Sequence, residues 1–224
     1  MMENQYIDKE LAAQRLATGQ HRAFVGGMWD EIGQLQFDYM LSKGLASSDK
    51  FIDVGCGSLR GGLHFIRHLN PAHYFGFDVN PELIEAGLIH EIEPLGLMDK
   101  VARENLVAAD GFNFPEGWSD MKSGIALSLF THLTLNSIAL CLTRLRPVMA
   151  SGARFYATIF HVEPEQQTHS VEQVPGIVTY MCQDPYHYTR ADMDYIAQKT
   201  GWSVIDIETF NHPRNQSMVV FEAH

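Results

Sequence analysis

Short apolar segments alternate with helical ones along most of this chain, and that alternation restricts the fold more than any other feature. Helix-like segments lie between the apolar runs, and Asn80 followed by Pro81 is typical of a helix start. Strands joined by helices run parallel in one sheet, so the pattern predicts a doubly wound α/β fold. The apolar runs, rich in Ile, Val and Phe, predict strands over residues 50–55, 73–79, 105–110, 123–130 and 153–160.

The last two predicted strands differ from the others, because residues 202–210 and 216–223 are separated only by "NHPRN". This connection is too short for a helical crossover, so the two strands are predicted to form an antiparallel pair. The complete sheet is expected to have seven strands, mostly parallel, with an antiparallel last strand and helices on both faces.

The N-terminal region has a different pattern. Residues 5–44 show helical spacing of apolar side chains, and Gly44 is a natural stop for the last helix of this region. The chain contains no Pro/Gly-rich linker, so a single domain is predicted over residues 1–224. It consists of a helical cap, residues 1–47, and an α/β core, residues 48–224.

Composition excludes several classes of protein. The chain has 224 residues, a net charge of −11 and no Lys/Arg run, which disfavours a nucleic-acid partner. No apolar run approaches the ~18 residues of a membrane span, and the polar N-terminus does not resemble a signal peptide. Three cysteines without CxxC spacing predict neither a disulfide framework nor a zinc site. We expect a soluble cytoplasmic protein.

The stretch "FIDVGCGSLRGG", residues 51–62, places an aspartate in a strand and four glycines in the turn that follows it. Glycine permits positive φ and close approach of a ligand, and the following helix N-terminus favours a negative group. A dinucleotide turn needs a small third motif residue, but Arg60 occupies that position here. The turn therefore favours a ligand with an ammonium and a carboxylate group, for which Asp53 attracts the cation and the glycine amides meet the carboxylate.

Two further acids end the next two predicted strands. Asp78 follows Gly57 by 21 residues, where an acid can accept both hydroxyls of a ribose. In "AADGF", Asp110 can accept from an adenine amine and Phe112 can offer an apolar face. Amino acid, ribose and adenine together describe S-adenosylmethionine.

With these motifs, residues 48–224 resemble the class I S-adenosylmethionine-dependent methyltransferases, which have a Rossmann-like fold. "IDVGCGSLRGG", "YFGFDVNP", "AADGF" and "LSLFTHL" match the family's motifs in order, and "HPRNQ" is similar to a bacterial subgroup. The resemblance implies a carbonyl of Ser128 near the ammonium group and a ring of Phe130 beside the sulfonium or the acceptor.

Two residues of the glycine-rich stretch have alternative roles. Arg60 can be a surface charge or a carboxylate contact, and Cys56 can be a packing residue or a reactive thiol. The predicted cofactor-binding residues are Asp53, Gly55, Cys56, Gly57, Arg60, Asp78, Val79, Asp110, Gly111, Phe112, Ser128 and Phe130.

Histidines supply the candidate catalytic groups, because a hydroxyl or carboxyl acceptor must lose its proton at attack. His132 is a base or a helix cap, and Trp29 is a lid or a core residue. The irregular spacing of the histidines predicts no metal site. The candidate catalytic residues are His132, His161 and His187, and the candidate acceptor-binding residues are Trp29, Tyr156, Glu163, Tyr186, Tyr188, His212 and Arg214.

The predicted reaction is methylation of a small polar acceptor such as a sugar, a carboxylate or a secondary metabolite, with O-methylation favoured. N-methylation, a dinucleotide oxidoreductase, an aminopropyl transferase and a non-catalytic cofactor-binding module are the alternatives. The oligomeric state is left open, with a homodimer as one alternative.

Overall fold

The computed structural model describes residues 21–224. The chain divides into two compact units, with the boundary between Asp110 and Gly111. The single domain over residues 1–224 stays a prediction. Within residues 21–224 no helix has both the length and the apolar content needed to cross a membrane.

The first unit has a parallel sheet of three strands in the order β3-β2-β1. Its helices are joined by a π-helical turn, Leu88–Ile92, and several short 3-10 turns. Apolar residues at every position but Asp53 and Asp78 make β1 and β2 fully buried strands. The elements are α1 (His21–Phe24), α2 (Trp29–Ser42), β1 (Phe51–Val54), α3 (Gly62–His68), β2 (Tyr74–Asp78), α4 (Pro81–Gly87) and β3 (Leu106–Ala108).

The second unit contains a four-stranded sheet in the order β4-β5-β10-β9. β4 and β5 are parallel, whereas β10 is antiparallel to both of its neighbours, as predicted from the short "NHPRN" connection. The elements are β4 (Met121–Ala126), α5 (Leu135–Leu145), β5 (Met149–His161), β6 (Val171–Val174), β7 (Ile177–Thr179), β8 (His187–Tyr188), α6 (Arg190–Thr200), β9 (Trp202–Thr209) and β10 (Ser217–Ala223).

The predicted fold class is confirmed, since all seven expected strands occur and the last one is antiparallel. Two elements were not predicted: the β6–β7 hairpin, and β8, which pairs with the end of β5. Both are short and follow the long strand β5. Their pairing depends on where the chain returns after that strand, which local sequence pattern does not encode.

Helix ends follow local chemistry closely. The Asn80 side chain accepts from the N–H groups of Glu82 and Leu83, which confirms the predicted start of α4. Gly44 has φ 89° just beyond α2, where its N–H bonds the carbonyl of Leu41, so the predicted stop is also confirmed. The helical prediction over residues 5–44 is met by α1 and α2, and its part before residue 21 lies outside the described residues.

The helix after β1 begins later than its apolar pattern suggests. It starts at Gly62, because Leu59 has φ 64° and therefore belongs to the turn. We call residues 55–61 the glycine turn. Its length is set by a buried residue in left-handed backbone, which only the folded chain reveals.

Helix α4 packs directly on the glycine turn at Gly87. A Cβ added to Gly87 would lie 2.6 Å from the carbonyl oxygen of Ser58, a backbone atom that has no flexible side chain to yield. We therefore expect Gly87→Ala to lower the free energy of unfolding by about 1–3 kcal/mol through overpacking. Urea unfolding measures the change. Gly117→Ala is the matched control, since nothing lies within 4 Å of its added Cβ, and equal losses in both variants would contradict the packing.

Candidate functional site

The Asp78 carboxylate ties the end of β2 to the glycine turn. Its Oδ2 accepts from the N–H of Gly57 at 2.8 Å, and its Oδ1 accepts from the N–H of Asn80 at 2.9 Å. Burial raises the pKa of the Asp78 carboxyl, and these backbone hydrogen bonds counter part of the rise. Each carboxylate oxygen can accept a second hydrogen bond, so the arrangement leaves acceptor capacity for the hydroxyls of a ligand.

The backbone of the glycine turn is bonded within the protein. Gly55 and Cys56 both donate their N–H groups to the carbonyl of Phe77, at 2.7 Å and 3.1 Å. Gly57 donates to Asp78, as described above. We expected the glycine amides to meet a ligand carboxylate, but those of Gly55 and Gly57, both at positive φ, donate to residues of β2 instead.

Asp53 lies in β1 beneath the turn, and Tyr74 is its partner. The Tyr74 hydroxyl donates to Asp53 Oδ2 at 2.8 Å, and both residues are buried. Burial raises the pKa of Asp53 to about 7, although the hydrogen bond from Tyr74 opposes the rise. A buried carboxyl with this pKa would gain charge readily if a cation approached it. Sequence reasoning missed Tyr74, whose signal was a hydroxyl at the start of a strand that has only one other polar side chain, Asp78.

The last two glycines of "CGSLRGG" make room for packing instead of a ligand. A Cβ at Gly61 would overlap the Gln36 side chain, with its Cδ at 2.3 Å, and a Cβ at Gly62 would lie 2.6 Å from the Tyr74 hydroxyl. Cys56 is likewise a packed residue, since burial raises the pKa of its thiol well above the ordinary value. This favours the packing alternative for Cys56 over a reactive thiol.

Arg60 connects the glycine turn to the segment between α1 and α2. Its Nη1 donates to the carbonyl oxygens of Val25 and Gly27, at 3.0 Å each. The Val25 side chain lies 3.2 Å from where a Cβ of Gly57 would be. We call residues 21–28 the N-terminal strap. Arg60 thus holds the strap against the turn, a role that neither of the two sequence-based alternatives anticipated.

Glu91 provides a second anchor for the strap. Its Oε1 is 2.6 Å from His21 Nε2 and 2.7 Å from Arg22 Nε, and its Oε2 accepts from Arg22 Nη2 at 2.8 Å. Burial by itself raises the pKa of the Glu91 carboxyl, but the hydrogen bonds from Arg22 and His21 outweigh it and leave the pKa below its usual value. Trp29 is buried beneath them: the Arg22 guanidinium lies 5.0 Å from its ring centre, and the His21 ring meets it edge-on. His21, Arg22 and Trp29 all lie in the sequence motif "HRAFVGGMWDEIG", but no sequence feature connected this motif to Glu91.

The "AADGF" segment lies at the boundary of the two units. In the first unit, Ala109 donates its N–H to the carbonyl of Asp78, Val79 is half-buried and Asp110 is exposed. In the second unit, Gly111 and Phe112 have left-handed backbone, with φ of 65° and 59°, and Arg144 Nη1 donates to the Gly111 carbonyl. Their predicted contacts with adenine stay predictions.

The segment after β4 is held by the second unit's own groups. Ser128 has φ 54°, its N–H donates to Thr158 Oγ1 at 2.7 Å, and its carbonyl accepts from Thr131 Oγ1 at 3.2 Å. Phe130 is fully buried, with the rings of Phe155 and Phe221 at 6.2 Å and 6.3 Å. Its ring therefore packs in the core of this unit, where we had expected it to flank the sulfonium or the acceptor.

His132 pairs with a carboxylate that sequence reasoning passed over. His132 Nδ1 lies 2.6 Å from Asp184 Oδ1, and both side chains are about one-third exposed. The loop that carries Asp184 is fixed nearby, because Tyr186 donates its N–H to the carbonyl of Thr131 at 2.8 Å. A carboxylate that accepts from Nδ1 sets the tautomer in which Nε2 can take a proton.

His187 is placed differently from a catalytic base. It is buried, Nε2 is 2.8 Å from the Gln167 carbonyl, and Nδ1 is 3.0 Å from Thr179 Oγ1. A carbonyl can only accept, so Nε2 carries a hydrogen, and both ring nitrogens are used within the protein. His187 thus joins β7 and β8 as a structural residue.

The remaining candidates are dispersed over the second unit. Tyr156 lies in the middle of β5, beside Ile125 and Val220, within the strand predicted over residues 153–160. His161 ends β5 and Glu163 is exposed beyond it. His212 is buried and its Nδ1 accepts from the Arg214 N–H at 3.1 Å. Within residues 21–224, the structure shows no group of three or more His, Cys, Asp or Glu side chains arranged to hold a metal ion.

Two aromatic candidates lie together. The rings of Tyr186 and Tyr188 stack, with centroids 6.4 Å apart and planes 21° from parallel. The Tyr188 hydroxyl donates to the Leu133 carbonyl, and burial raises its pKa. The two rings support each other, and their role as a wall for an acceptor stays a prediction.

No family model matches the chain. Solved structures do resemble it. One is magnesium protoporphyrin IX methyltransferase from Synechocystis PCC 6803 with bound S-adenosylhomocysteine, at 13% identity and a TM-score of 0.67 over 99% of this chain and 100% of that one. The CcbJ methyltransferase from Streptomyces caelestis has 14% identity and a TM-score of 0.61 over 85% and 89% of the two chains. The pyocyanin biosynthetic protein PhzM has 18% identity and a TM-score of 0.64 over 95% and 61%.

The chain shares the fold of these methyltransferases. At such low identity the likeness concerns the path of the backbone, and the residues of this chain must carry any argument about its chemistry.

Asp53 makes the stability of the protein depend on pH. The folded-state pKa of Asp53, about 7, lies above its unfolded-state pKa of about 3.9. The stabilisation by the neutral carboxyl is therefore fully present only below the unfolded-state pKa. This contribution is lost as the pH rises through about 7. We expect the free energy of unfolding of Asp53→Asn, relative to that of the natural chain, to rise by about 3 kcal/mol from pH 5 to pH 8. Urea unfolding at each pH measures the difference. Asp99→Asn, at an exposed acid, should show no such trend, and a constant difference for Asp53→Asn would refute the assignment.

Proposed function

We propose that this chain is an S-adenosylmethionine-dependent methyltransferase that acts on a small polar acceptor, with O-methylation as its reaction. The observation that carries the proposal is the buried Asp78 carboxylate, bonded to Gly57 and Asn80 at the carboxyl end of β2. An acid at this place in an open α/β sheet is suited to the hydroxyls of a ribose. The fold shared with methyltransferases is consistent with that ligand.

The residues of the first unit fit the methyl donor. The Ser58 hydroxyl in the glycine turn is buried without a hydrogen-bond partner among the described residues, and Asp53 beneath it can become charged near pH 7. Asp53 would face the positive end of the ligand and Asp78 its ribose. When bound, S-adenosylmethionine supplies a methyl group on a positively charged sulfur, which keeps the electron pair of the broken carbon–sulfur bond.

The residues of the second unit supply acid–base chemistry. Asp184 holds the imidazole of His132 with a hydrogen on Nδ1, so Nε2 is the nitrogen that accepts the proton of an acceptor hydroxyl. The proton then passes to solvent. The dyad favours an oxygen acceptor, because a neutral amine can attack without a base. His132 is thus the proposed base, and Asp184 its positioning residue.

Binding of the donor is tested by thermal unfolding with S-adenosylhomocysteine. At a concentration of 100 times Kd we expect a stabilisation of about 2.7 kcal/mol in the natural chain. Asp78→Asn, which keeps the size of the side chain but removes its charge, should lose most of this shift, whereas Asp99→Asn should keep it. If the natural chain is stabilised by NAD and not by S-adenosylhomocysteine, the proposal is wrong and the protein is a dinucleotide-dependent enzyme.

The dyad is tested by turnover, once a screen of phenols, carboxylates and sugars with radiolabelled methyl donor has identified an acceptor. We expect His132→Ala to lower kcat by about 10²-fold or more, the usual contribution of a general base. Asp184→Asn should lower kcat less and leave KM nearly unchanged, since it misorients the base without touching the acceptor. The exposed carboxylate of Asp194, paired with Arg190, provides the control variant Asp194→Asn. A change in KM alone would argue against the positioning role.

A further inference from the structure

A cavity of about 280 Å³ lies in the second unit, beside the loop that positions His132. Its volume suits a molecule of one or two rings, since it is at the lower end of the range for small-molecule sites. The side chains that decide its chemistry are Leu135, Asn136, Met181, Cys182, Tyr186 and Tyr188. We call it the tyrosine cavity.

The apolar wall of the tyrosine cavity is built for a flat ligand. Tyr186 and Tyr188 present rings that are 21° from parallel, and Met181 adds a polarizable side chain that is 45% exposed. Aromatic rings prefer offset-stacked or edge-on neighbours, and a thioether makes favourable contacts with them. An exposed methionine beside two stacked tyrosines indicates a surface for an aromatic partner.

The polar side chains of the cavity are largely occupied by one another. Asp192 Oδ2 accepts from Thr189 N, Thr189 Oγ1 and Gln167 Nε2, at 2.7–2.8 Å. His187 uses both ring nitrogens, and the Tyr188 hydroxyl donates to the backbone. A sugar needs many available hydrogen-bonding groups, but most of the polar groups of this cavity are bonded to other groups of the protein. Asn136, exposed in the first turn of α5, lines the cavity and can bond a polar substituent of the ligand.

The two tyrosines of the cavity and the His132–Asp184 pair lie on two neighbouring segments, residues 184–188 and 131–133. Tyr186 follows Asp184 by two residues and bonds the carbonyl of Thr131, the residue before His132. The Tyr188 hydroxyl donates to the carbonyl of Leu133, the residue after His132. A ligand that stacks on the tyrosines would therefore lie against the segments that position the base.

We propose that the tyrosine cavity binds the aromatic ring of a hydroxylated acceptor, such as a phenol, a catechol or a naphthol. Its role as the acceptor site rests on the proposed methyl-transfer function. Binding itself requires no methyl donor, so the two proposals can fail separately.

Cys182 reports on the cavity directly. It is exposed and lines the cavity, while Cys56 and Cys141 are buried, so a thiol reagent modifies Cys182 first. The rate of modification by Ellman's reagent is measured without methyl donor, in the presence of catechol, 2-naphthol or glucose. At an aromatic concentration ten times Kd we expect about tenfold slower modification, since few cavities remain open.

Tyr186→Ala should abolish this protection, and Tyr186→Phe should keep it because the ring remains. Tyr195→Ala is the matched control, at a tyrosine that is 61% exposed on α6 and does not line the cavity. If Tyr186→Ala does not fold, the comparison of the three compounds on the natural chain decides the matter. Protection by glucose equal to that by the aromatic compounds, or no protection by any of them, would overturn the proposal.

Discussion

The first unit depends on one buried carboxylate. Asp78 at the end of β2 bonds the N–H of Gly57 and the N–H of Asn80, and so joins the turn after β1 to the start of α4. Burial of a carboxylate is unfavourable unless charge-assisted hydrogen bonds replace the lost water, and these two donors offset part of that cost. Because the turn is held in this way, the elements that pack on it have a fixed surface. A group suited to ligand binding is therefore also a structural group of the unit.

The glycine turn is a packing centre as well as a candidate binding turn. Helix α2 approaches it closely at Gly61, helix α4 at Ser58, and the N-terminal strap through Arg60. This explains a bulky cation at a motif position that is small in dinucleotide turns: the guanidinium bonds backbone carbonyls of the strap. The Glu91 cluster anchors the other end of the strap, where hydrogen bonds from Arg22 and His21 lower the pKa of a buried acid. The strap thus has two anchors of different chemistry, and both belong to the first unit.

In the proposed function, the second unit separates proton transfer from ligand recognition within two neighbouring segments. Asp184 orients His132, while the tyrosines that follow line a cavity of their own. The hydrogen bond from the Tyr186 N–H to the Thr131 carbonyl fixes where Asp184 meets His132, and a well-positioned base is a more effective one. The proposed division gives donor recognition to the acids of the first unit and acceptor chemistry to the second.

The sequence by itself determined the features whose causes are local. The alternation of strands and helices, the cap at Asn80 and the antiparallel last strands all follow from neighbouring residues. Tertiary structure alone decided which distant side chains meet. Tyr74 reaches Asp53 across 21 residues, and Asp184 reaches His132 across 52, because strand register and loop return bring them together. It also moved Phe130 and His187 from candidate site residues to packed ones, since burial is a property of the folded chain and not of a motif.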